Sequence, residues 1–248
     1  MHGTRIRFSP KSPAPNRVPA ATWPLLALAF VPTAPCHAAR PLITDDAGVQ
    51  ALGDCESDSY AGRAIARRRP GSSAAATQIG CGAFLHTYLG VAYARAVNAA
   101  SLEQTLALAG KTALQEATDD GAGYALSWGT VGKKVRGSAF RYDGWYATLV
   151  RTAGLPAGWT GHANLGATYQ HDSHDLTARW ALAAEHTLGG SLRAGFETFA
   201  DNHDRAPWVQ AGASCDALVK GLSINAGWGT QLNSARNRLA TAGATFDF

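Results

Sequence analysis

Apolar side chains stand at every second position over the last ten residues, and this period is the strongest constraint on the fold. Ala240, Ala242, Ala244, Phe246 and Phe248 alternate with small or polar residues. Successive side chains of a β-strand point to opposite faces, so the pattern predicts a strand with one apolar and one polar face. A free edge strand ending in phenylalanine would promote aggregation, which favours a strand that is paired on both edges.

Segments with the same alternation follow one another along most of the chain. We find eleven of them, whereas a transmembrane barrel made from one bacterial chain has an even number of strands. We therefore predict ten or twelve strands, with the error in the long 77–93 segment or in the 39–54 region. The segments span about residues 55–66, 77–93, 102–116, 121–131, 141–152, 160–170, 175–187, 191–200, 207–217, 220–230 and 238–248.

The two faces of these strands differ in chemistry. In segment 191–200, for example, Leu192, Ala194 and Phe196 oppose Arg193 and Glu197. In a water-soluble barrel the large apolar side chains would point inward, and alternation alone does not distinguish the two faces. Small and charged residues that share one face suit a polar lumen, since a charge facing lipid at the midplane costs about 2–4 kcal/mol. The lumen-lining candidates are Lys111, His162, Asn164, Arg179, Glu185, Arg193 and Glu197.

The chain downstream of the leader holds no apolar stretch long enough for a membrane-spanning helix, which needs about 20 residues. Only a closed barrel spans a membrane without such a helix. The fold class predicted is therefore all-β, an antiparallel up-and-down transmembrane β-barrel. Its closing strand would face lipid with Phe246 and Phe248 but not with Asp247.

The amino end has the layout of a secretory signal peptide. A basic region without acidic residues precedes the apolar stretch Ala20 to Val31, and Cys36-His37-Ala38 offers a cleavage site. We predict a signal peptide over 1–38, an extended periplasmic segment over 39–54 and an outer-membrane barrel over 55–248. Cleavage removes four of the 22 Lys and Arg and leaves 18 against 18 Asp and Glu. A neutral chain offers no basic surface for nucleic acid.

Three cysteines remain after the predicted cleavage. Exported proteins can keep disulfides. Cys55 and Cys81 lie on neighbouring predicted strands, and we predict that they pair. Cys215 would then be a free thiol in a small, buried position.

Two turn sequences fix the register of the strands around them. A four-residue loop, His171 to His174, would place Gln170 opposite Asp175. A three-residue loop, Leu188-Gly189-Gly190, would place Glu185 opposite Arg193. The second register predicts an inward ion pair between these two charged side chains.

No motif for catalysis, metal binding or cofactor binding is found. The sequence lacks G-x-S-x-G, a phosphate-binding loop, C-x-x-C and H-E-x-x-H. The loop with His171, Asp172, His174 and Asp175 could hold a divalent metal, but such polar turns are more often simply solvated. His86 is assigned to packing inside the lumen. We therefore predict no enzyme, no metal and no cofactor.

Short sequence phrases carry a family resemblance. They are Arg40-Pro41-Leu42-Ile43-Thr44-Asp45-Asp46-Ala47 after the signal peptide, Ala109 to Leu114, His162 to Gly166 and Pro207 to Gly212. The chain resembles, over most of residues 40–248, uncharacterised proteobacterial outer-membrane proteins similar to the "MetA pathway of phenol degradation" family. The resemblance implies a barrel and uptake of small molecules, aromatic ones among them. It implies no catalytic residues.

The leading hypothesis is an outer-membrane channel or binding barrel for small solutes. The alternatives are a structural or adhesive surface barrel, an outer-membrane enzyme that uses the His171–Asp175 loop and a second His/Asp loop at Asp201–Asp204, and a soluble periplasmic barrel. The expected partners are outer-membrane lipid, the barrel assembly machinery and a small-molecule solute, with no nucleic acid.

Overall fold

The computed structural model describes residues 42–65, 71–84, 86–98, 101–118, 121–135, 137–204, 206–233 and 237–248. All of them belong to one compact unit, Thr33–Phe248. The predicted signal peptide, 1–38, lies outside the described residues. No helix in these ranges is both long and apolar enough to cross a membrane.

Twelve strands make up nearly all of the described chain. A single turn of 3-10 helix, Pro156–Gly158, joins two of them. The strands are β1 (Cys55–Ile65), β2 (Ser72–Gly82), β3 (Thr87–Val97), β4 (Leu102–Gln115), β5 (Gly123–Val135), β6 (Arg141–Leu155), β7 (Trp159–Gln170), β8 (Asp175–Gly189), β9 (Leu192–Asp201), β10 (Trp208–Val219), β11 (Leu222–Gln231) and β12 (Arg238–Asp247).

The strands form a closed antiparallel barrel. Each pairs with its neighbours in sequence, and β1 pairs with β12, so that Glu56 lies opposite Asp247 and Ile65 opposite Arg238. Closure leaves every strand, β12 included, with a partner on both edges. The predicted fold class is confirmed, and the strand number is the larger of the two predicted values.

The missing strand comes from the 77–93 segment, which divides into β2 and β3. The chain reverses between Gly82 and Thr87, and His86 adopts a left-handed backbone with φ of 52°. The prediction that His86 packs in the lumen is therefore wrong. Its exposed ring instead pairs with Glu116, with Nδ1 and Oε1 3.1 Å apart.

One of the two predicted turn registers is confirmed and the other is wrong. Gln170 lies opposite Asp175, as predicted. However, β8 continues to Gly189 and a bulge shifts its pairing, so Arg193 lies opposite Thr187 and not opposite Glu185. The predicted ion pair forms all the same across the strands, with Arg193 Nη1 and Glu185 Oε1 3.6 Å apart.

Burial identifies the inner and outer faces. Leu182, Phe196 and Trp228 are 52%, 56% and 51% exposed, whereas Glu197 and Ser223 are 3% and 2% exposed. Large apolar side chains thus lie outside and polar ones inside, the reverse of a water-soluble barrel. The alternation continues into β12, whose Phe246 is exposed and stacks on the following Phe248, with ring centroids 5.8 Å apart.

The predicted disulfide between Cys55 and Cys81 is present. These residues are direct partners at the end of the barrel where β1 begins, which is called the β1 end below. Cys215 is a free, half-buried thiol on β10.

Candidate functional site

Residues 42–54, the plug segment, lie inside the barrel. They contact inward side chains of β4, β6, β7 and β9, which lie on different sides of the barrel, and Thr44 and Ala47 are buried. Because β4 and β9 lie five strands apart around the twelve-stranded barrel, a segment that reaches inward side chains of both lies in the lumen. The sequence predicts an extended periplasmic segment over 39–54, but it does not predict that this segment enters the lumen.

The first described residues of the plug segment, 42–44, called the tip below, are bound by one carboxylate. Glu197 Oε1 accepts a hydrogen bond from the Ile43 N–H at 2.9 Å. Its Oε2 accepts from the Thr44 N–H at 2.8 Å and from the Thr44 hydroxyl at 2.6 Å. Hydrogen bonds to an ionised acceptor are short and roughly twice as strong as neutral ones. Glu197 is thereby the most heavily bonded contact of the segment.

The middle of the plug segment is held by charge and by an amide. Lys111 Nζ lies 3.0 Å from Asp45 Oδ1 and 3.4 Å from Asp46 Oδ1, and its side chain is 12% exposed. The Asn164 amide, oriented to satisfy both groups, donates to the Asp45 carbonyl at 2.9 Å and accepts from the Asp45 N–H at 2.6 Å. These two wall residues therefore bind one turn of the segment together.

Further along, Ala47 makes the apolar contact of the plug segment. It clusters with the fully buried Ala125 and Val150, and its N–H donates to Thr152 Oγ1 at 2.8 Å. Thr152 in turn is 2.9 Å from His162 Nδ1. The small size of Ala47 means that little apolar surface is buried, so polar contacts dominate the hold on the segment.

At its root the plug segment runs beside β2. Leu52 forms a parallel bridge with Gly82, and the Gly53 N–H donates to the Gly82 carbonyl at 3.0 Å. A Cβ at position 82 would collide with the carbonyl of Ala51. Glycine at 82 is therefore required for the close approach of the root to the wall.

A second polar network lines the inner wall of the barrel beside the plug segment. Arg193 lies between Glu185 and Asp216, with its Nε 3.5 Å from Asp216 Oδ2. His162 Nε2 is 3.6 Å from Glu185 Oε1, and all four side chains are 17% exposed or less. Since His162 also contacts Thr152, this network connects to the plug segment through one hydroxyl.

The end of the barrel opposite the β1 end, called the open mouth below, carries aromatic side chains on its inner face. Phe199 and Trp208 are partners two residues beyond Glu197 and Gln210, so they share the inner face. Their rings stack with centroids 6.3 Å apart. Arg179 lies opposite Asp201 nearby, is exposed, and donates to the Thr168 hydroxyl. The exposure of Arg179 indicates that solvent reaches this part of the lumen.

The structure thus divides the seven lumen candidates into three groups. Lys111, Asn164 and Glu197 bind the plug segment; His162, Glu185 and Arg193 form the wall network; and Arg179 lies alone toward the open mouth. Sequence reasoning missed the partners on the plug segment, Thr44, Asp45 and Asp46, together with Thr152 and Asp216. The sequence signal was limited to the charged residues in strand interiors, which indicate that partners are needed but not which residues they are.

The side chains of the loop from His171 to Asp175 form separate pairs and do not converge on a single point where a metal ion could bind. His174 Nδ1 lies 3.0 Å from the Tyr169 hydroxyl, and His203 Nε2 lies 3.1 Å from Asp175 Oδ2. Within the described residues no group of three or more His, Cys, Asp or Glu is placed to hold a metal ion.

Comparison with protein families places the chain. It belongs to the family described as uncharacterised conserved protein UCP029691, which matches residues 26–248. The "MetA pathway of phenol degradation" family was not found, so that more specific resemblance stays a prediction. No match was found among curated proteins.

Solved outer-membrane barrels share the fold of this UCP029691 member. The KdgM porin in complex with disordered oligogalacturonate has a TM-score of 0.57 and 9% identity, covering 78% of this chain and 99% of that one. The COG4313 outer membrane channel from Pseudomonas putida F1 has a TM-score of 0.57 and 11% identity, covering 84% and 100%. The NanC porin has a TM-score of 0.51 and 10% identity, covering 77% and 98%. At such low identity the likeness concerns the fold alone.

Proposed function

We propose that this protein is an outer-membrane channel for small solutes whose lumen is occupied by the plug segment. The observation that carries the proposal is the polarity of the closed barrel, with charged and amide side chains inside and large apolar ones outside. An apolar exterior suits lipid and a polar interior suits an aqueous path. The resemblance in fold to porins and channels supports the same reading.

The proposal extends to location and partners. The protein lies in the outer membrane after export by its signal peptide, is inserted by the barrel assembly machinery, and acts without catalysis. The turns argue against a surface adhesin, because even the longest connection runs only from Gln115 to Gly123. Twelve strands enclose a narrow lumen, so only small solutes would pass.

Small aromatic solutes are the class we propose for the open mouth. The stacked Phe199 and Trp208 offer an aromatic surface, and Arg179 offers a cation beside it. Swelling of proteoliposomes in phenylalanine or in leucine compares two solutes of like charge that differ in the ring. We expect faster entry of phenylalanine and loss of that preference in Trp208→Ala, but not in Trp180→Ala on the outer face. Equal entry rates would contradict the aromatic preference.

Fractionation and conductance test the channel itself. We expect recovery in the outer-membrane fraction, a folded band that shifts on heating in gels, and a planar-bilayer conductance that is low in the native protein and higher in a variant lacking residues 42–50. Recovery as a soluble periplasmic protein would contradict the location. Silence of both the native protein and a variant lacking residues 42–50 would contradict the channel.

A non-conducting structural barrel is the second candidate, favoured by the filled interior at the β1 end. It predicts that the variant lacking residues 42–50 folds and stays silent, whereas a channel predicts current from that variant.

A further inference from the structure

We infer that Glu197 is the positioning residue that holds the plug segment in the lumen, and that loss of its hydrogen bonds opens the barrel. The inference rests on the proposed channel function and adds its regulation. Glu197 acts through the segment and need not touch a solute.

The distribution of contacts along the plug segment supports this role. The root is fixed by the Leu52–Gly82 bridge and by the peptide bond into β1. The tip is fixed by three hydrogen bonds that all end on Glu197. A plug segment fixed at both its tip and its root blocks the lumen, whereas a plug segment fixed only at its root can move out of the lumen.

The chemistry of the remaining contacts makes release feasible. Lys111, Asn164 and Thr152 offer polar groups that water can replace, and Ala47 is the small apolar residue of the only buried apolar cluster among the described residues. Intramolecular hydrogen bonds exchange for bonds to water with a small net gain. The Ile43 side chain is 53% exposed, so its release from Glu197 does not require it to leave a buried apolar position.

Burial couples Glu197 to the position of the segment. The residue is 3% exposed, and its carboxylate is satisfied by backbone and hydroxyl donors of Ile43 and Thr44. A buried carboxylate without donors is costly, so the seated segment and the ionised side chain stabilise each other. Displacement of the tip must therefore bring water to Glu197.

Between tip and root, the segment contains residues that allow a hinge. Gly48 lies in this stretch, whereas Gly53, with a φ of +90°, belongs to the root and turns the chain into β1. Gly48 donates its N–H to Asp46 Oδ1 at 2.6 Å, within the segment itself. Rotation about residues 48–51 would move residues 42–47 without disturbing the strands or the Leu52–Gly82 bridge.

Two reciprocal variants test the inference. Glu197→Gln keeps the size of the side chain but replaces one carboxylate oxygen with an amide NH2 group. That group cannot accept the hydrogen bonds that Ile43 and Thr44 donate. Thr44→Pro removes the Thr44 N–H and hydroxyl from the other side of the same contact. Glu103→Gln is the matched control, because Glu103 pairs with Lys133 on the wall at 3.0 Å and not with the plug segment. Unchanged heat-shifted gel migration would establish that each barrel is folded.

Two readouts separate the plug from the channel. A protease that cuts before aspartate reports on the Thr44–Asp45 and Asp45–Asp46 bonds, of which the second is the same in both variants, with the exposed Asp54 as an internal reference. We expect cleavage at Asp45 to be roughly tenfold faster in both variants than in the native protein or the control, since charge-assisted hydrogen bonds are lost. Planar-bilayer current should rise in the same two variants.

The outcomes distinguish failure of the inference from failure of the proposed function. Native-like protection of Asp45 and native-like current in both variants would overturn the role of Glu197. Full current in the native protein while Asp45 stays protected would overturn closure by the segment and leave the channel standing. Rapid cleavage at Asp45 with no current in any variant would support the hold by Glu197 and overturn the channel.

Discussion

At the scale of single residues, the lumenal charges are explained by partners that are distant in sequence. Lys111 meets carboxylates 65 and 66 residues away, and Glu197 meets Thr44 across 153 residues. Placing a charge in a strand interior is tolerable because the barrel turns it away from lipid and supplies an opposite group.

Arg193 provides the clearest test at this scale. Replacing it by methionine leaves Glu185 and Asp216 beside each other without their shared cation. Breaking a buried ion pair on one side costs about 3–5 kcal/mol, so we expect a loss of that order in the free energy of unfolding. Urea titration of the refolded barrel, followed by tryptophan fluorescence, measures it.

The control is Arg151→Met. Arg151 is exposed and bonds only a tyrosine hydroxyl in the contacts described, with Nε 3.3 Å from Tyr124 Oη. It should change stability by about 1 kcal/mol or less. Equal effects of the two substitutions would argue that the Arg193 network carries no special stability.

Alternation was sufficient to single out the wall residues Lys111, Asn164 and Glu197 from sequence, because period two is a local property. It could not supply Thr44, Asp45 or Asp46 as their partners. Those residues lie in an irregular segment, and their contacts depend on how the whole barrel closes around them. A charge needing a partner is visible in sequence, but the partner's position is not.

At the scale of elements, turn chemistry decided which strands could be predicted. The polar turn from His171 to His174 is unambiguous, and its register was predicted correctly. Between Gly82 and Thr87 the chain has no Pro, Asn, Asp or Gly, the residues that usually mark a turn. The alternating pattern therefore continues without a break across this turn, in which His86 adopts a left-handed backbone. The adjacent glycines 189 and 190 allow more than one loop length, so the sequence did not determine the register of β8 against β9.

The outer face of β8 allows a depth test. Leu182 lies near the middle of the strand and Leu188 near its end, and both are exposed on the outside. Leu182→Arg should lower the free energy of unfolding in lipid by about 2–4 kcal/mol, and Leu188→Arg by about 0–1 kcal/mol. Equilibrium unfolding in lipid vesicles measures both.

Similar costs at the two positions in vesicles would contradict a transmembrane orientation of β8. Repeating the titration in detergent should reduce the difference, because a micelle imposes no fixed depth.

At the scale of the molecule, one covalent link lies at the β1 end, beside both the plug root and the seam where β1 meets β12. The Cys55–Cys81 disulfide joins residues 26 apart in sequence and closes the β1–β2 hairpin. Alternation and the even-number rule predicted the closed barrel around it, whereas nothing local indicated that its interior would be occupied.

Replacing both cysteines by serine should lower stability by about 3 kcal/mol in the chain-entropy view of a cross-linked loop of this length. The expected readout is a lower urea midpoint for the double variant and for the reduced native protein, compared with the oxidised protein. Cys215→Ser is the control, because this thiol forms no disulfide. Identical midpoints with and without reductant would contradict a stabilising role.

The pairing of β1 with β12 also has a consequence for the order of folding. Glu56 has Asp247 as its partner, so the first strand must wait for nearly the whole chain before its outer edge is covered. Until then the growing sheet keeps one open side that could pair with other chains. Such a long-range closure is slow. The β1–β2 hairpin, linked by Cys55 and Cys81, gives β1 one partner before β12 is available to pair with its other edge.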